Sequence, residues 1–91
     1  MNRNYERIAV EAAEYGIAIS NGGGVLAPVR FYREGDVGNV LAWMQRTKTG
    51  WKGYVCEDIR RILISQGTPT TYAGRKGNVA NWCLDYAVNG A

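Results

Sequence analysis

The side chains with the most chemistry to offer are cations and one indole on two glycine-flanked stretches. The first holds Arg46, Lys48, Trp51 and Lys52, interleaved with Thr47, Thr49, Gly50 and Gly53. A flat ring between ammonium groups can stack a nucleobase while the charges track phosphates. The second is Arg75-Lys76, just ahead of an expected helix start. Unpaired backbone N–H groups and the helix dipole favour an anion there, and two cations reinforce it. Arg30, Arg33, Arg60 and Arg61 are placed to widen such a surface. Each feature also has a plainer reading, with Trp51 a core anchor clipping a turn and the lysines ordinary solubilising charge. Two such stretches in one chain of net charge +3 bring the binding reading nearer to even with the plain one.

Other chemistry is scarce. The chain has no histidine, which removes His-based acid–base catalysis, Ser-His and Cys-His pairs and most zinc sites. Cys56 and Cys83 make no disulfide framework, and both fall at or beside apolar helical stripes, as buried thiols do. Glu57 and Asp58 point about 100° apart on a helix, so they share a substrate poorly. Arg60 and Arg61, three and four positions on, suit them as ion-pair partners, and Asp85 would join only through the tertiary fold. Gly22-Gly23-Gly24 lacks the following helix and the Lys-Ser/Thr of a P-loop, so a hairpin tip is preferred to a phosphate cradle. The expectation is a protein that is not an enzyme and uses no cofactor and no metal.

The elements that position these residues follow from periodicity and punctuation. The clearest is a helix over Tyr54–Gln66, with Val55, Ile59, Ile62 and Leu63 on one stripe, Glu57 and Asp58 in the first turn, and Gly67 and Pro69 as stop signals. An earlier helix runs from Asn4 to Tyr15, with Tyr5, Ile8, Ala9, Ala12 and Tyr15 inward, capped by Asn4 or Asn2 and ended by Gly16. Ile17–Ser20 and the alternating Val25–Tyr32 predict a β-hairpin whose second strand, carrying Pro28, is an edge or is bulged. Asp36 is read as capping a helix to Thr47, with Val37, Val40, Leu41 and Met44 buried and Trp43 a further candidate for that side. Lys48–Gly50 then turns the chain, and Trp51–Gly53 leads into the central helix. Thr70–Tyr72 adds a short strand to the hairpin. Gly74–Asn78 opens a last helix with Val79, Trp82, Cys83 and Tyr86 on one face, ended by Asn89-Gly90. Gly38-Asn39-Val40 to Trp43 echoes Gly77-Asn78-Val79 to Trp82, which good helix starts explain better than a duplication.

Ninety-one residues make one domain, 1–91, and twelve glycines point to many tight turns between short elements. No apolar run approaches the roughly 20 residues that span a bilayer. The charged N-terminus has no signal-peptide pattern, so a cytoplasmic protein is expected. The fold predicted is α+β: a small antiparallel sheet of two or three strands with three or four short helices packed on one side.

The function expected is that of a regulator or inhibitor that binds a macromolecule through loops 46–53 and 74–78. A nucleic acid or ribonucleoprotein is favoured as the partner, with no membrane and no metal involved. A second possibility is a purely protein–protein interface using aromatics such as Tyr32, Tyr54 and Tyr72. Phage and mobile-element inhibitors of the anti-CRISPR kind share this small size and lack of motifs, an analogy that matches no residues. A third is a helix-turn-helix made from the helices at 37–47 and 54–66. Its connection is long, and Glu57 and Asp58 would face phosphate.

Overall fold

Asn4 caps the first helix, its Oδ1 accepting from the Glu6 and Arg7 amides at 2.9 and 3.3 Å. The computed structural model describes residues 4–21 and 27–90. The chain runs through α1 (Tyr5–Glu14), β1 (Ile17–Ser20), β2 (Val29–Arg33), β3 (Val40–Arg46), β4 (Trp51–Val55), α2 (Glu57–Ser65), β5 (Thr71–Gly74) and α3 (Lys76–Gly90). Ile8 and Ala12 form the buried side of α1, and Gly16 ends it at φ +71°. At the end of α2, the Thr68 amide donates to the Leu63 carbonyl and the Gly67 amide to that of Ile64, with Gly67 at φ +68°. This left-handed closure is what Gly67 predicts.

The five strands pair antiparallel in the order β1-β2-β3-β4-β5, and the three helices pack on one side of the sheet. The predicted α+β class is therefore found, with more strands than expected. α3 crosses the sheet and α1 lies beside it over β1. Between them and the strands sit Ile8, Phe31, Met44, Val79 and Cys83, all fully buried. Gly53 of β4 lies directly under α3: a Cβ there would be 3.0 Å from both Cys83 Sγ and Trp82 Cε3. Its missing side chain lets the helix seat on the strand.

The helix predicted over 37–47 is strand β3, and Trp51–Gly53 belongs to β4 rather than to a turn. The cause is a β-bulge. Phe31 pairs with Ala42 but Tyr32 with Val40, so Leu41 is an extra residue on β3. Leu41 and Ala42 are consequently both buried, and strict alternation is lost. Apolar residues at 40, 41 and 44 then mimic a helical stripe. The central helix starts at Glu57, since Tyr54 and Val55 complete β4. The helix-turn-helix reading thus loses its first helix. Pro28 precedes β2, which is an interior strand, so the expected edge position is not found. β5 joins β4 rather than the β1–β2 hairpin. The echo is no structural repeat, because Val40 and Trp43 lie in a strand and Val79 and Trp82 in a helix. The Gly22–Gly24 tip, the Val25–Leu26 start of its second strand and the Asn2 cap lie outside the described residues.

Candidate functional site

Helices on one side of a sheet leave alternate side chains on the other side without a helical layer. In β3 and β4 the inward residues are Ala42, Met44, Gly53 and Val55, all buried. The outward ones are Trp43, Gln45, Lys52 and Tyr54. The register of the sheet sets Ser20, Arg30, Trp43, Tyr54 and Thr71 in one row across all five strands. A second row carries Gln45, Lys52 and Ala73, and a third Ala18, Tyr32 and Val40. Among the described residues no element covers these rows.

Trp43 and Tyr54 are the centre of the first row. Their rings stack with centroids 5.5 Å apart and planes 14° from parallel. Lys52 Nζ stands 5.6 Å from the Tyr54 centroid, a cation–π contact. The pair is held from behind by α3, where the Cys83 thiol donates to the Trp43 carbonyl at 3.5 Å. Burial raises that thiol to about 12, while the Tyr54 backbone pulls weakly the other way. The row is therefore backed by the buried core beneath α3.

Beyond the pair, where β4 runs into α2, lies a cleft of about 590 Å³. Trp43, Tyr54, Cys56, Glu57, Arg60, Thr70 and Thr71 line it, together with Val55. Glu57 bridges Arg60 at 3.5 Å and Arg61 at 3.4 Å. Cys56 is half-buried here, unlike Cys83. In the native protein Cys56 should react with a thiol reagent, whereas Cys83 should react only on unfolding. The raised Cys83 value also has a direct consequence for alkaline stability. A thiol raised on folding leaves stability intact below its unfolded range, and stability falls as pH climbs toward the folded value. The urea midpoint should thus decline between about pH 8 and pH 10.5, and less so in Cys83→Ala. Burial raises Tyr5 in the same direction, so the comparison with the variant is what isolates the thiol.

The six residues singled out in the sequence divide between the two faces of the sheet. The loops themselves meet, since Trp51 pairs with Arg46 on one side and Gly74 on the other. Lys76 Nζ lies 5.3 Å from the Trp51 ring and 4.2 Å from that of Tyr5. Trp51 packs against the core, so this pair is on the helical side. Lys52 faces the opposite way, beside Tyr54. Arg46, Lys48 and Arg75 are exposed. Sequence reasoning missed Trp43 as a surface residue, because the bulge hid its strand. Alternation over Trp51–Val55 was the available signal, pairing Lys52 with Tyr54 against Trp51, Gly53 and Val55.

Charge is segregated along the chain. Residues 37–56 carry Arg46, Lys48 and Lys52 and no carboxylate, and 59–84 carry Arg60, Arg61, Arg75 and Lys76 and no carboxylate. Among the described residues no group of His, Cys, Asp or Glu is placed to hold a metal, and no helix is long and apolar enough to cross a membrane. Of the three carboxylates considered for catalysis, Glu57, Asp58 and Asp85, the first and last line separate clefts. Comparison with protein-family models, curated proteins and solved structures gives no match.

Proposed function

We propose that the protein binds single-stranded nucleic acid, free or exposed in a ribonucleoprotein, across the open face of its sheet. The supporting observation is the cross-strand row Arg30–Trp43–Tyr54–Thr71, with Lys52 beside it. Sheet faces of this composition suit unpaired bases, because every base has a π-face to stack and cations between the rings meet the phosphates. Adjacent strands are about 4.8 Å apart, so the row spans about 14 Å, room for a few stacked bases. Lys48, at the turn of the β3–β4 hairpin, and Arg75, just after β5, are further exposed cations, whereas Arg46 pairs with Trp51 and shares its helical side. Trp51 and Lys76 serve by bracing that hairpin against α1. A strand held this way is hidden from other proteins, which is how a non-catalytic binder of this size regulates or inhibits.

Titration by fluorescence anisotropy with an oligonucleotide of about eight nucleotides, as DNA and as RNA, tests the proposal. Two to four phosphate contacts predict a log–log salt slope of roughly −1.4 to −2.8. Duplex of the same sequence should bind more weakly, since its bases are not free to stack. Absence of any single-strand binding at low salt sinks the reading. A second reading has its own observation: Ile62 and Ile64 of α2 are 54% and 56% exposed, which suits a purely protein partner. Such a complex would be insensitive to salt and to changes at Trp43 and Tyr54.

A further inference from the structure

We infer that the cleft between Tyr54 and the first turn of α2 receives one guanine base, read by the Glu57–Arg60 ion pair. This rests on the open face being a single-strand platform. It adds a base preference at one end of that platform. The cleft continues the row past Tyr54 and opens over Thr71, so a base entering it prolongs the Trp43–Tyr54 stack. Its volume of about 590 Å³ is that of an ordinary small-ligand site.

The charged residues in the lining, Glu57 and Arg60, decide what fits. A carboxylate there opposes a phosphate and calls for hydrogen-bond donors instead. Glu57 and Arg60 sit side by side at 3.5 Å, one helical turn apart, and together offer carboxylate acceptors beside guanidinium donors. The Watson–Crick edge of guanine is the complement: the N2 amino donor, the N1–H donor, then the O6 acceptor. Cytosine presents two acceptors and one donor, and uracil or thymine a donor between two acceptors. Adenine presents one acceptor and one donor. Only guanine satisfies both Glu57 oxygens and a guanidinium N–H together. The Glu57–Arg61 ion pair is exposed and long, so freeing its carboxylate oxygen for a base costs little while the Glu57–Arg60 pair stays in place. The Thr70 and Thr71 hydroxyls flank the cleft and are able to donate or accept.

The test uses oligothymidine of about eight nucleotides carrying a single central guanine, adenine, cytosine or hypoxanthine. Guanine should bind about tenfold more tightly than adenine or cytosine, the size a bidentate base contact confers. Hypoxanthine, which lacks the N2 amino group, should lose most of that gain. Glu57→Gln should remove the guanine preference while leaving plain oligothymidine binding within about twofold, and Glu57→Ala should do the same. Glu57 is on the surface, and an unchanged urea midpoint verifies the fold of both variants. Equal, salt-sensitive binding of all four oligonucleotides overturns the guanine inference and leaves the platform standing. A guanine preference that survives both variants overturns the role of Glu57. Binding of none of them overturns the inference and the platform together.

Discussion

Replacing Trp43 and Tyr54 together by threonine should weaken single-strand binding by about 30-fold or more while the protein stays folded. Base–aromatic stacking is worth about 1–3 kcal/mol per base, so two rings supply roughly 2–6 kcal/mol, and the lower bound is already near 30-fold. Threonine retains strand propensity and removes only the rings. Both residues point away from the helices, so the core beneath is untouched. Loss of the cross-strand pair itself costs about 0.5–1.5 kcal/mol, inside a margin of roughly 5–13 kcal/mol for a chain of this size. Anisotropy titration beside a urea melt separates the two effects. Trp51→Phe is the matching control on the helical side, where binding should hold within about twofold. Equal weakening by both variants would mean that the indoles act through the fold and not through the ligand.

The largest stability effect belongs to Phe31. It is fully buried on β2, opposite Ile19 and Ala42, and faces the helices. Phe31→Ala removes its transfer free energy and leaves a cavity between sheet and helices, a loss of about 3–5 kcal/mol. That is roughly a quarter or more of the expected margin. The urea midpoint should drop accordingly with an unchanged slope. A cost under about 1 kcal/mol would place Phe31 outside the core and undo the β2 register on which the outer row depends. The same register puts Arg30 outward, so Arg30→Ala should leave stability within about 0.5 kcal/mol.

Much of this fold was legible in the sequence, and the illegible part has one main cause. α1 was readable because Asn4, an alanine-rich face and Gly16 agree. α3 was readable from Val79, Trp82, Cys83 and Tyr86. Those signals are local. β3 was not, because the extra Leu41 buries two consecutive residues and replaces alternation by helical spacing. Reading 37–47 as a helix carried Trp51–Gly53 into a turn and dissolved the centre of the sheet. The candidate site went with it. Arg30, Trp43, Tyr54 and Thr71 lie far apart in sequence and share a row only through three strand registers. No periodicity within one segment contains that information. The basic loops were visible, and they do meet at the Trp51–Gly74 pair. Which cation faces which side of the sheet follows only from the pleat, which turns Lys52 away from Trp51 and Lys76.

The central claim is that the uncovered sheet face, and not the helical one, holds the strand. The most direct measurement is the amide and indole N–H NMR spectrum of the protein as an oligonucleotide of about eight nucleotides is added. The three indoles sit in distinct places: Trp43 on the open face, Trp51 under Lys76, and Trp82 stacked against Tyr72 on the helical side. The Trp43 indole and the amides of Arg30, Lys52, Tyr54 and Thr71 should shift with increasing ligand, while Trp82 and the centre of α3 stay in place. Shifts confined to Trp82, Tyr72 and the exposed side of α2, with Trp43 unmoved, would contradict the account.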